Sequence, residues 1–188
     1  MEIIVAKNLE NFNTLASNIV INLVKKKPDA TLGLATGSTP LGVYEAMIMD
    51  HVLNGTSYKN IKTFNLDEYV GLDKTNDQSY YYFMQHNLFS SLDIDPANIN
   101  IPNGMAPDLY AECSRYSNLL KNATIDLQIL GIGTNGHIAF NEPGTFFDSE
   151  THVTTLTPET IEANSRFFKN INALFMMNFM MISNSFYF

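Results

Sequence analysis

The chain has 188 residues, of which 45% are hydrophobic and 12% aromatic, a composition typical of one globular domain rather than a disordered chain. Its formal net charge is −8, and the acidic residues are spread along the chain instead of being gathered in a tail. This distribution argues against nucleic-acid binding, for which clustered Lys and Arg are typical. An anionic small ligand would have to be held locally, by backbone amides and a few cations.

Cys113 is the single cysteine, so neither an intrachain disulfide nor a cysteine-based metal site can form. It falls on the apolar stripe of a predicted helix, which indicates a thiol in the core. The N-terminal residues Met1 to Val5 contain no basic residue and no signal-like apolar stretch. The sequence therefore predicts that the protein resides in the cytoplasm, where thiols stay reduced.

Short apolar runs and helical periodicity alternate along residues 1–170. The apolar runs predict strands at Glu2–Ala6, Thr31–Ala35, Ile61–Leu66 and Asp126–Leu130. The periodicity predicts helices at Leu9–Lys26, at Pro40–Leu53, from a cap at Asp77 or Ser79 to about Leu92, and at Pro107–Lys121. Strands separated by helices indicate an α/β domain: an open, mostly parallel, Rossmann-like sheet with helices on both faces. The aromatic residues Tyr80–Phe83 and Phe89 are interpreted as part of its core.

Residues 171–188 depart from this pattern, because they contain no charged residue and 13 of the 18 positions are apolar. A transmembrane helix is one alternative, but asparagines interrupt a barely sufficient length. A buried core helix is another, although the segment has no polar face to present to water. We favour a third interpretation, in which this segment is foreign to the domain.

The first motif with chemical potential is Thr36-Gly37-Ser38-Thr39-Pro40, between a predicted strand and a predicted helix. Gly37 permits close approach to the backbone, and the two hydroxyls lie beside free amides at the helix N-terminus. Orphan N–H groups and the helix dipole both favour a phosphate there. An ordinary capped turn is the alternative. The motif is not a P-loop, because no Gly-Lys-Ser/Thr follows.

The second motif, around Asp67-Glu68, lies at the carboxyl end of a predicted strand, where ligands of open α/β sheets bind. Adjacent side chains of an extended segment point in opposite directions, so only one of the two carboxylates is expected in a pocket. A partly desolvated carboxylate there can act as a general base, since burial raises its pKa. The alternative is a carboxylate that caps backbone amides.

The third motif, Gly131–Pro143, begins with a match to Gly-x-Gly-x-x-Gly after a predicted strand. We reject a dinucleotide site, because Pro143 soon interrupts the helix that such a fingerprint should open. What remains is a glycine-rich loop that presents His137 and Glu142. A histidine can transfer protons near neutral pH, and a carboxylate can fix its tautomer.

Together these segments resemble glucosamine-6-phosphate deaminases. The resemblance is carried, in order, by LGLATGSTPLGVYEAM, TFNLDEYVGL, SYYYFMQHNLF, ILGIGTNGHIAFNEPGT and TLTPETIEANSRFF, and it extends from Glu2 to about Asn172. It implies hydrolytic deamination of a small-molecule substrate, glucosamine 6-phosphate, to fructose 6-phosphate and ammonia. It also implies that neither a metal nor a redox cofactor is needed.

The resemblance assigns roles to four residues of the second and third motifs. His137 would assist opening of the sugar ring, with Asn135 and Glu142 supporting that step. Asp67 would move the proton from C2 to C1. Many family members carry Asp at the position of Asn135, but Asn also occurs in the family. Because an amide cannot carry a proton as a carboxyl group does, Asn135 is expected to be a neutral polar support.

For the substrate phosphate, the resemblance implies contacts with Gly37, Ser38 and Thr39, and with Arg166 as the cation. Without the resemblance, Arg166 would be interpreted as a solvated surface charge. Residues 144–168 would form a mobile lid over the site.

Residues 171–188 are also where the chain departs from the family, whose members continue with further strands and helices. We therefore expect an incomplete sheet, reduced solubility and weak or absent activity. A 6-phosphogluconolactonase is the rival within the superfamily, and a non-catalytic sugar-phosphate binder or inert fragment is the rival from another class. The oligomeric state does not follow from the sequence.

Overall fold

The computed structural model of the chain describes residues 2–165 and 179–182. Its α-helices are α1 Leu9–Lys26, α2 Leu41–Asn54, α3 Tyr80–Asn87, α4 Leu109–Lys121 and α5 Pro158–Ser165. Its strands are β1 Thr31–Leu34, β2 Lys62–Asn65, β3 Asp67–Tyr69, β4 Ile99–Asn100, β5 Leu127–Gln128, β6 His152–Thr155 and β7 Phe179–Ile182.

The strands form two sheets. A four-stranded sheet has the order β4-β2-β1-β5, and all of its pairings are parallel. A three-stranded sheet has the order β3-β7-β6, and its pairings are antiparallel. The chain passes from β2 of the first sheet into β3 of the second through Leu66 alone, so the predicted strand Ile61–Leu66 ends one residue earlier.

Helices cover both faces of the parallel sheet, which confirms the predicted α/β architecture. Leu32 and Leu34 of β1 belong to a core that α1 and α2 also build. Phe64 of β2 is in register with Gly33, so its side chain lies on the opposite face. There it packs against Tyr116 of α4. The strands of a parallel sheet carry apolar side chains on both faces, so helices must cover both faces to keep those side chains from water.

Polar side chains fix the helix starts close to where the sequence places them. The predicted bounds of α1 agree with the structure. Ser79 is the cap of α3, and it accepts the Tyr82 N–H across 3.0 Å. The helix ends at Asn87 and a short 3-10 turn, Phe89–Ser91, follows it, so the predicted continuous helix to Leu92 is broken. Asp108 caps α4 through the Tyr110 and Ala111 N–H groups.

The prediction of a strand at Glu2–Ala6 is wrong. The segment forms no strand in the described part of the chain, and its apolar side chains are exposed: Ile3 by 74%, Ile4 by 56% and Val5 by 86%. β-branched residues favour extended backbone only where a neighbouring strand supplies hydrogen bonds and packing. Here no described strand pairs with the segment.

Four residues of segment 171–188 are described. They form β7, which lies between β3 and β6, with Met181 opposite both Glu68 and Val153. The remaining residues of that segment lie outside the described ranges, and its interpretation as foreign to the domain stays a prediction. None of the described helices combines the length and hydrophobicity needed to cross a bilayer.

Candidate active site

The three sequence motifs meet in one cavity of about 490 Å³. It is lined by the loop after β1 (36–39), by Asp67 of β3, by the start of α3, and by parts of the loop after β5 (131–140). The strands β1 and β5 are parallel neighbours, so the loops that follow them emerge at the same edge of the sheet. The chain also leaves β2 at this edge, which brings Asp67 there.

Asp67 and Glu68 diverge, as expected for neighbours in a strand. Asp67 lines the cavity, and no described residue makes a hydrogen bond to its carboxylate. Burial, and after it the neighbouring Glu68 charge, raises the pKa of Asp67 to about 8. A carboxyl group with that pKa is well suited to proton abstraction near neutral pH.

Glu68 has a structural role. Its carboxylate is buried and accepts backbone N–H groups from Tyr69, Tyr80 and Tyr81 across 2.8, 2.9 and 2.9 Å. Burial raises the pKa of Glu68, and the three N–H groups oppose that effect. Glu68 thereby ties β3 to the start of α3.

The loop 36–39 precedes α2, whose N-terminus has no side-chain cap. Gly37 has φ +100°, a conformation that glycine adopts without strain. Ser38 and Thr39 are exposed, and their hydroxyls have no hydrogen-bond partner among the described residues. This loop therefore presents hydroxyls and helix N-terminal amides to an anion.

The charges along the cavity are unbalanced in the described part of the chain. Asp67, Asp77 and His137 line it, and no described Lys or Arg does. Arg166, the cation predicted for the phosphate, lies outside the described residues. Its placement therefore stays a prediction. No group of three His, Cys, Asp or Glu side chains in the described ranges is arranged to hold a metal ion.

His137 lies on the cavity wall with its ring tilted by 31° against Phe140, the ring centroids 5.0 Å apart. Its Nδ1 points away from the open space, at 3.4 Å from Thr160 Oγ1 and 3.6 Å from Glu142 Oε2. A Cβ atom at Gly133 would come within 2.4 Å of the imidazole, so a larger residue there would displace the His137 ring.

Glu142 is a buried carboxylate surrounded by donors. Asn135 Nδ2 donates to its Oε2 across 2.7 Å, and the Thr157 N–H donates to its Oε1 across 3.2 Å. Burial is the largest influence on the pKa of Glu142 and raises it. Hydrogen bonds from Thr160, Thr157 and Asn135 outweigh burial, so the pKa lies below its usual value. Glu142 is therefore a charged group within reach of His137.

The backbone between His137 and Glu142 adopts an uncommon conformation. Ala139 and Phe140 have φ values of 51° and 52°, which non-glycine residues adopt rarely. A bridge between Ile138 and Asn141, and the Asn141 amide donating to Ile138 O across 2.9 Å, hold this tight turn. Strain of this kind persists where the surroundings enforce it, often at functional sites.

The sequence analysis did not identify Thr157 and Thr160, which complete the Glu142 cluster. Thr157 precedes Pro158, and its hydroxyl accepts the Thr160 N–H across 3.3 Å, as an N-cap does. A threonine followed by proline at the first helical position is a helix-start signal that predicts this cap. It does not predict that the capped start of this helix contacts the Glu142 carboxylate.

The interpretation of the α3 aromatics as core is wrong for Tyr82, which is 37% exposed. Tyr80 packs against the buried cluster that contains Tyr69, as that interpretation predicts. It lines the cavity, and its hydroxyl donates to the Tyr69 hydroxyl across 3.4 Å. Phe83 packs against the core and also lines the cavity. Phe89 is 3% exposed, as expected for a core residue. The predicted lid, 144–168, is described to Ser165; it includes β6 and α5, and its mobility stays a prediction.

Comparison with known proteins identifies similar chains. Residues 8–166 match the protein family described as Glucosamine-6-phosphate isomerases/6-phosphogluconolactonase. A glucosamine-6-phosphate deaminase of Clostridium novyi (strain NT) is 55% identical over 171 residues, which cover 90% of this chain and 71% of that protein. One of Geobacillus sp. (strain WCH70) is 53% identical over 173 residues, covering 92% of this chain and 69% of that protein.

Solved structures are similar over nearly the whole chain. A monomeric glucosamine-6-phosphate deaminase superposes with a TM-score of 0.95 at 43% identity, covering 98% of this chain and 76% of that one. A 6-phosphogluconolactonase from Thermotoga maritima superposes with a TM-score of 0.68 at 21% identity, covering 95% of this chain and 74% of that one. The second likeness extends to the fold alone.

Proposed function

The chain belongs to the family of glucosamine-6-phosphate isomerases and 6-phosphogluconolactonases, and from this membership we propose that it deaminates glucosamine 6-phosphate to fructose 6-phosphate and ammonia. The observation that carries the proposal is the meeting of Asp67, His137 and the loop 36–39 in one cavity. An anion-binding loop, an unpaired carboxyl group and an imidazole are the groups that a sugar-phosphate isomerisation requires.

Binding begins at the phosphate. Gly37 allows close approach of the backbone, and Ser38 and Thr39, whose hydroxyls have no hydrogen-bond partner in the described ranges, lie beside the N-terminus of α2. We assign Arg166 as the cation that balances the dianion, because a planar guanidinium engages phosphate oxygens in pairs. Anchoring at this end leaves the sugar ring to extend towards Asp67 and His137.

Ring opening is assigned to His137. Its Nδ1 faces Thr160 and Glu142, which leaves Nε2 for the substrate. The C1–O5 bond breaks while the C1 hydroxyl becomes a carbonyl, and the imidazole transfers the proton from that hydroxyl to O5. The Glu142 charge stabilises the imidazolium that forms in between.

Isomerisation is assigned to Asp67. Its carboxylate removes the C2 proton, and the electron pair forms a C1=C2 double bond while the C1 carbonyl oxygen takes a proton from the substrate's C2 ammonium group, which gives an enol amine. Return of the proton to C1 converts C2 to an iminium, which one water hydrolyses to the ketone and ammonia. Asp67 has no competing hydrogen bond in the described residues, which suits a group that must give and take a proton.

Ammonia release from glucosamine 6-phosphate by the full chain tests the proposal, with hydrolysis of 6-phosphogluconolactone measured in parallel. We expect ammonia release, weaker than that of a full-length family member because of the departure in residues 171–188, and no lactonase activity. Asp67→Asn and His137→Gln should each reduce turnover by about 10²–10⁴-fold. The exposed Asp29→Asn variant, which makes the same chemical change away from the cavity, should leave it unchanged.

Lactone hydrolysis without ammonia release would show that the chain is a lactonase instead. Full turnover by either site variant would show that the residue roles are wrong. We place the activity in the cytoplasm, where the free, buried thiol of Cys113 would stay reduced.

A further inference from the structure

We propose that Tyr80 is a further substrate-binding residue, whose hydroxyl binds a sugar hydroxyl at C3 or C4. The inference rests on the proposed function, in which the phosphate lies at the loop 36–39 and Asp67 acts at C2. The carbons between these two points carry hydroxyls that the cavity must also accommodate.

The position of Tyr80 in the cavity follows from its contact with Tyr69. Tyr80 lines the same cavity as Asp67 and the loop 36–39. Tyr69 is two positions after Asp67 in β3, so the two side chains lie on one face of the strand, and both line the cavity. The Tyr80 hydroxyl is 3.4 Å from the Tyr69 hydroxyl. It therefore lies on the side of β3 that carries the base.

The electrostatic surroundings of the Tyr80 hydroxyl agree with this position. Burial raises the pKa of Tyr80 well above its usual value, and the Tyr69 and Asp67 charges raise it further. The Thr36 side chain, at the start of the loop 36–39, opposes this rise. Groups from both ends of the proposed substrate path thus act on this hydroxyl, which stays protonated near neutral pH and can donate.

The contact with Tyr69 leaves the Tyr80 hydroxyl able to bind a ligand. Its length of 3.4 Å exceeds the typical O–H···O distance of about 2.8 Å, so this hydrogen bond is weak. A hydroxyl donates one hydrogen bond and accepts two. Tyr80 can therefore accept from a sugar hydroxyl while it donates to Tyr69, or turn its proton to the sugar.

The local fold holds the Tyr80 hydroxyl in place. Glu68 Oε1 accepts the Tyr69 N–H across 2.8 Å and the Tyr80 N–H across 2.9 Å, which fixes the two tyrosines relative to each other. Their ring centroids are 4.9 Å apart, and the Tyr80 ring packs against the cluster that contains Leu156. A side chain restrained in this way loses little further freedom when it binds a ligand.

Calorimetric titration of the full chain with two ligands separates the sugar contact from the phosphate contact. Fructose 6-phosphate, the product of the proposed reaction, probes both contacts, and inorganic phosphate probes the loop 36–39 alone. Tyr80→Phe, which removes only the hydroxyl, should weaken fructose 6-phosphate binding by about 3- to 10-fold and leave phosphate binding unchanged. Tyr82→Phe makes the same change at an exposed residue of α3 outside the cavity lining, and should bind both ligands as wild type does.

Ligand analogues test the same contact with the wild-type chain alone. The 3-deoxy and 4-deoxy forms of fructose 6-phosphate each lack one of the two candidate hydroxyls. One of them should bind wild type about 3- to 10-fold more weakly than fructose 6-phosphate does. Tyr80→Phe should not distinguish that analogue from fructose 6-phosphate, and this double-mutant cycle identifies the hydroxyl that Tyr80 binds.

Kinetics supply a further readout. With glucosamine 6-phosphate as the substrate, Tyr80→Phe should raise KM by about 3- to 10-fold and leave kcat nearly unchanged, because the contact is made equally in the ground state and the transition state. Tyr82→Phe should leave both constants unchanged.

The inference is overturned if Tyr80→Phe binds fructose 6-phosphate as tightly as wild type, or if both ligands are weakened equally, since Tyr80 would then only support the loop 36–39. It is also overturned if neither deoxy analogue binds wild type more weakly than fructose 6-phosphate. Ammonia release tests the proposed function separately. A chain that releases no ammonia, but whose Tyr80→Phe variant selectively loses affinity for fructose 6-phosphate, would refute the deaminase proposal and leave this contact standing.

Discussion

Asp67 and Glu68 are adjacent in β3, yet the Glu68 carboxylate binds three backbone N–H groups whereas that of Asp67 has no described partner and faces the cavity. The surroundings thus give two neighbouring carboxylates of the same strand different hydrogen bonding and different access to the cavity. Glu68 offsets its burial with hydrogen bonds and stabilises the start of α3. Asp67 lacks such hydrogen bonds among the described residues and lines the cavity, which makes it the better base.

The first prediction concerns the pH dependence of turnover. Because the pKa of Asp67 is about 8, the group is mostly protonated at pH 7 and becomes a base as the pH rises. We therefore expect kcat/KM for glucosamine 6-phosphate to increase up to about pH 8 and then level off, since this ratio reports ionisation of the free enzyme. An increase complete near the usual carboxyl pKa of about 4 would contradict the assignment of Asp67 as the base.

The second prediction concerns stability. In the unfolded chain the pKa of Asp67 returns to 3.8, while in the folded chain it is about 8. Between these values the folded state binds the proton and the unfolded state does not. The contribution of Asp67 to stability is therefore fully present below pH 4 and is lost as the pH rises through 8.

Asp67→Asn should remove this pH dependence. The free energy of unfolding of the variant, measured with urea, should approach or exceed that of wild type by pH 9. The difference between the two free energies should change by several kcal/mol between pH 5 and pH 9. Asp29→Asn, an exposed change of the same kind, should run parallel to wild type. A constant difference between Asp67→Asn and wild type at all pH values would show that Asp67 has an ordinary pKa when folded.

The location of the site follows from the sequence, because it depends on local patterns. Residues that end parallel strands converge at one edge of the sheet, so the loop 36–39, Asp67 and the loop that carries His137 could be placed together without coordinates. The divergence of Asp67 and Glu68 follows from the period of a strand.

The remaining features depend on tertiary contacts. The cluster at Glu142 joins residues up to 25 positions apart, such as Asn135 and Thr160, and no local pattern encodes that distance. The exposed segment Glu2–Ala6 has the composition of a strand but no described neighbour to pair with. The positive φ angles of Ala139 and Phe140 contradict the preference of both residue types, so only the surrounding loop can impose them.

The third prediction concerns Asn135, whose side-chain amide forms hydrogen bonds through both its nitrogen and its oxygen. Nδ2 donates to Glu142 across 2.7 Å, and Oδ1 accepts the His137 N–H across 3.1 Å. Asn135→Asp would place a second carboxylate against Glu142, and mutual repulsion would raise the pKa of one of them. We expect the variant to lose stability relative to wild type as the pH rises from 5 to 9, with turnover declining over the same range.

Thermal unfolding and ammonia release across that range measure both effects. Asn118→Asp, on α4 and without a side-chain contact to Glu142, tests whether an added charge alone has this effect. If Asn135→Asp and wild type show the same pH dependence, the amide does not act as a neutral support for Glu142.

The fourth prediction separates backbone strain from ligand binding in the loop 36–39. Gly37 has φ +100°, and a Cβ atom added there would meet nothing within 4 Å. Gly37→Ala should therefore lower the free energy of unfolding by about 1–3 kcal/mol through backbone strain, without a steric clash. Because the substitution also disfavours the conformation that presents Ser38 and Thr39, KM for the sugar phosphate should rise while kcat changes less.

Gly55→Ala is the matched control. Gly55 follows the opposite end of α2, has φ +70°, and is equally free of neighbours within 4 Å. It should show a similar loss of stability in thermal or urea unfolding but unchanged KM. Inorganic phosphate should raise the Tm of Gly55→Ala as it does that of wild type, and raise that of Gly37→Ala less. An equal rise in Tm for both variants would show that the phosphate does not bind at this loop, because only one of the two glycines lies at the cavity.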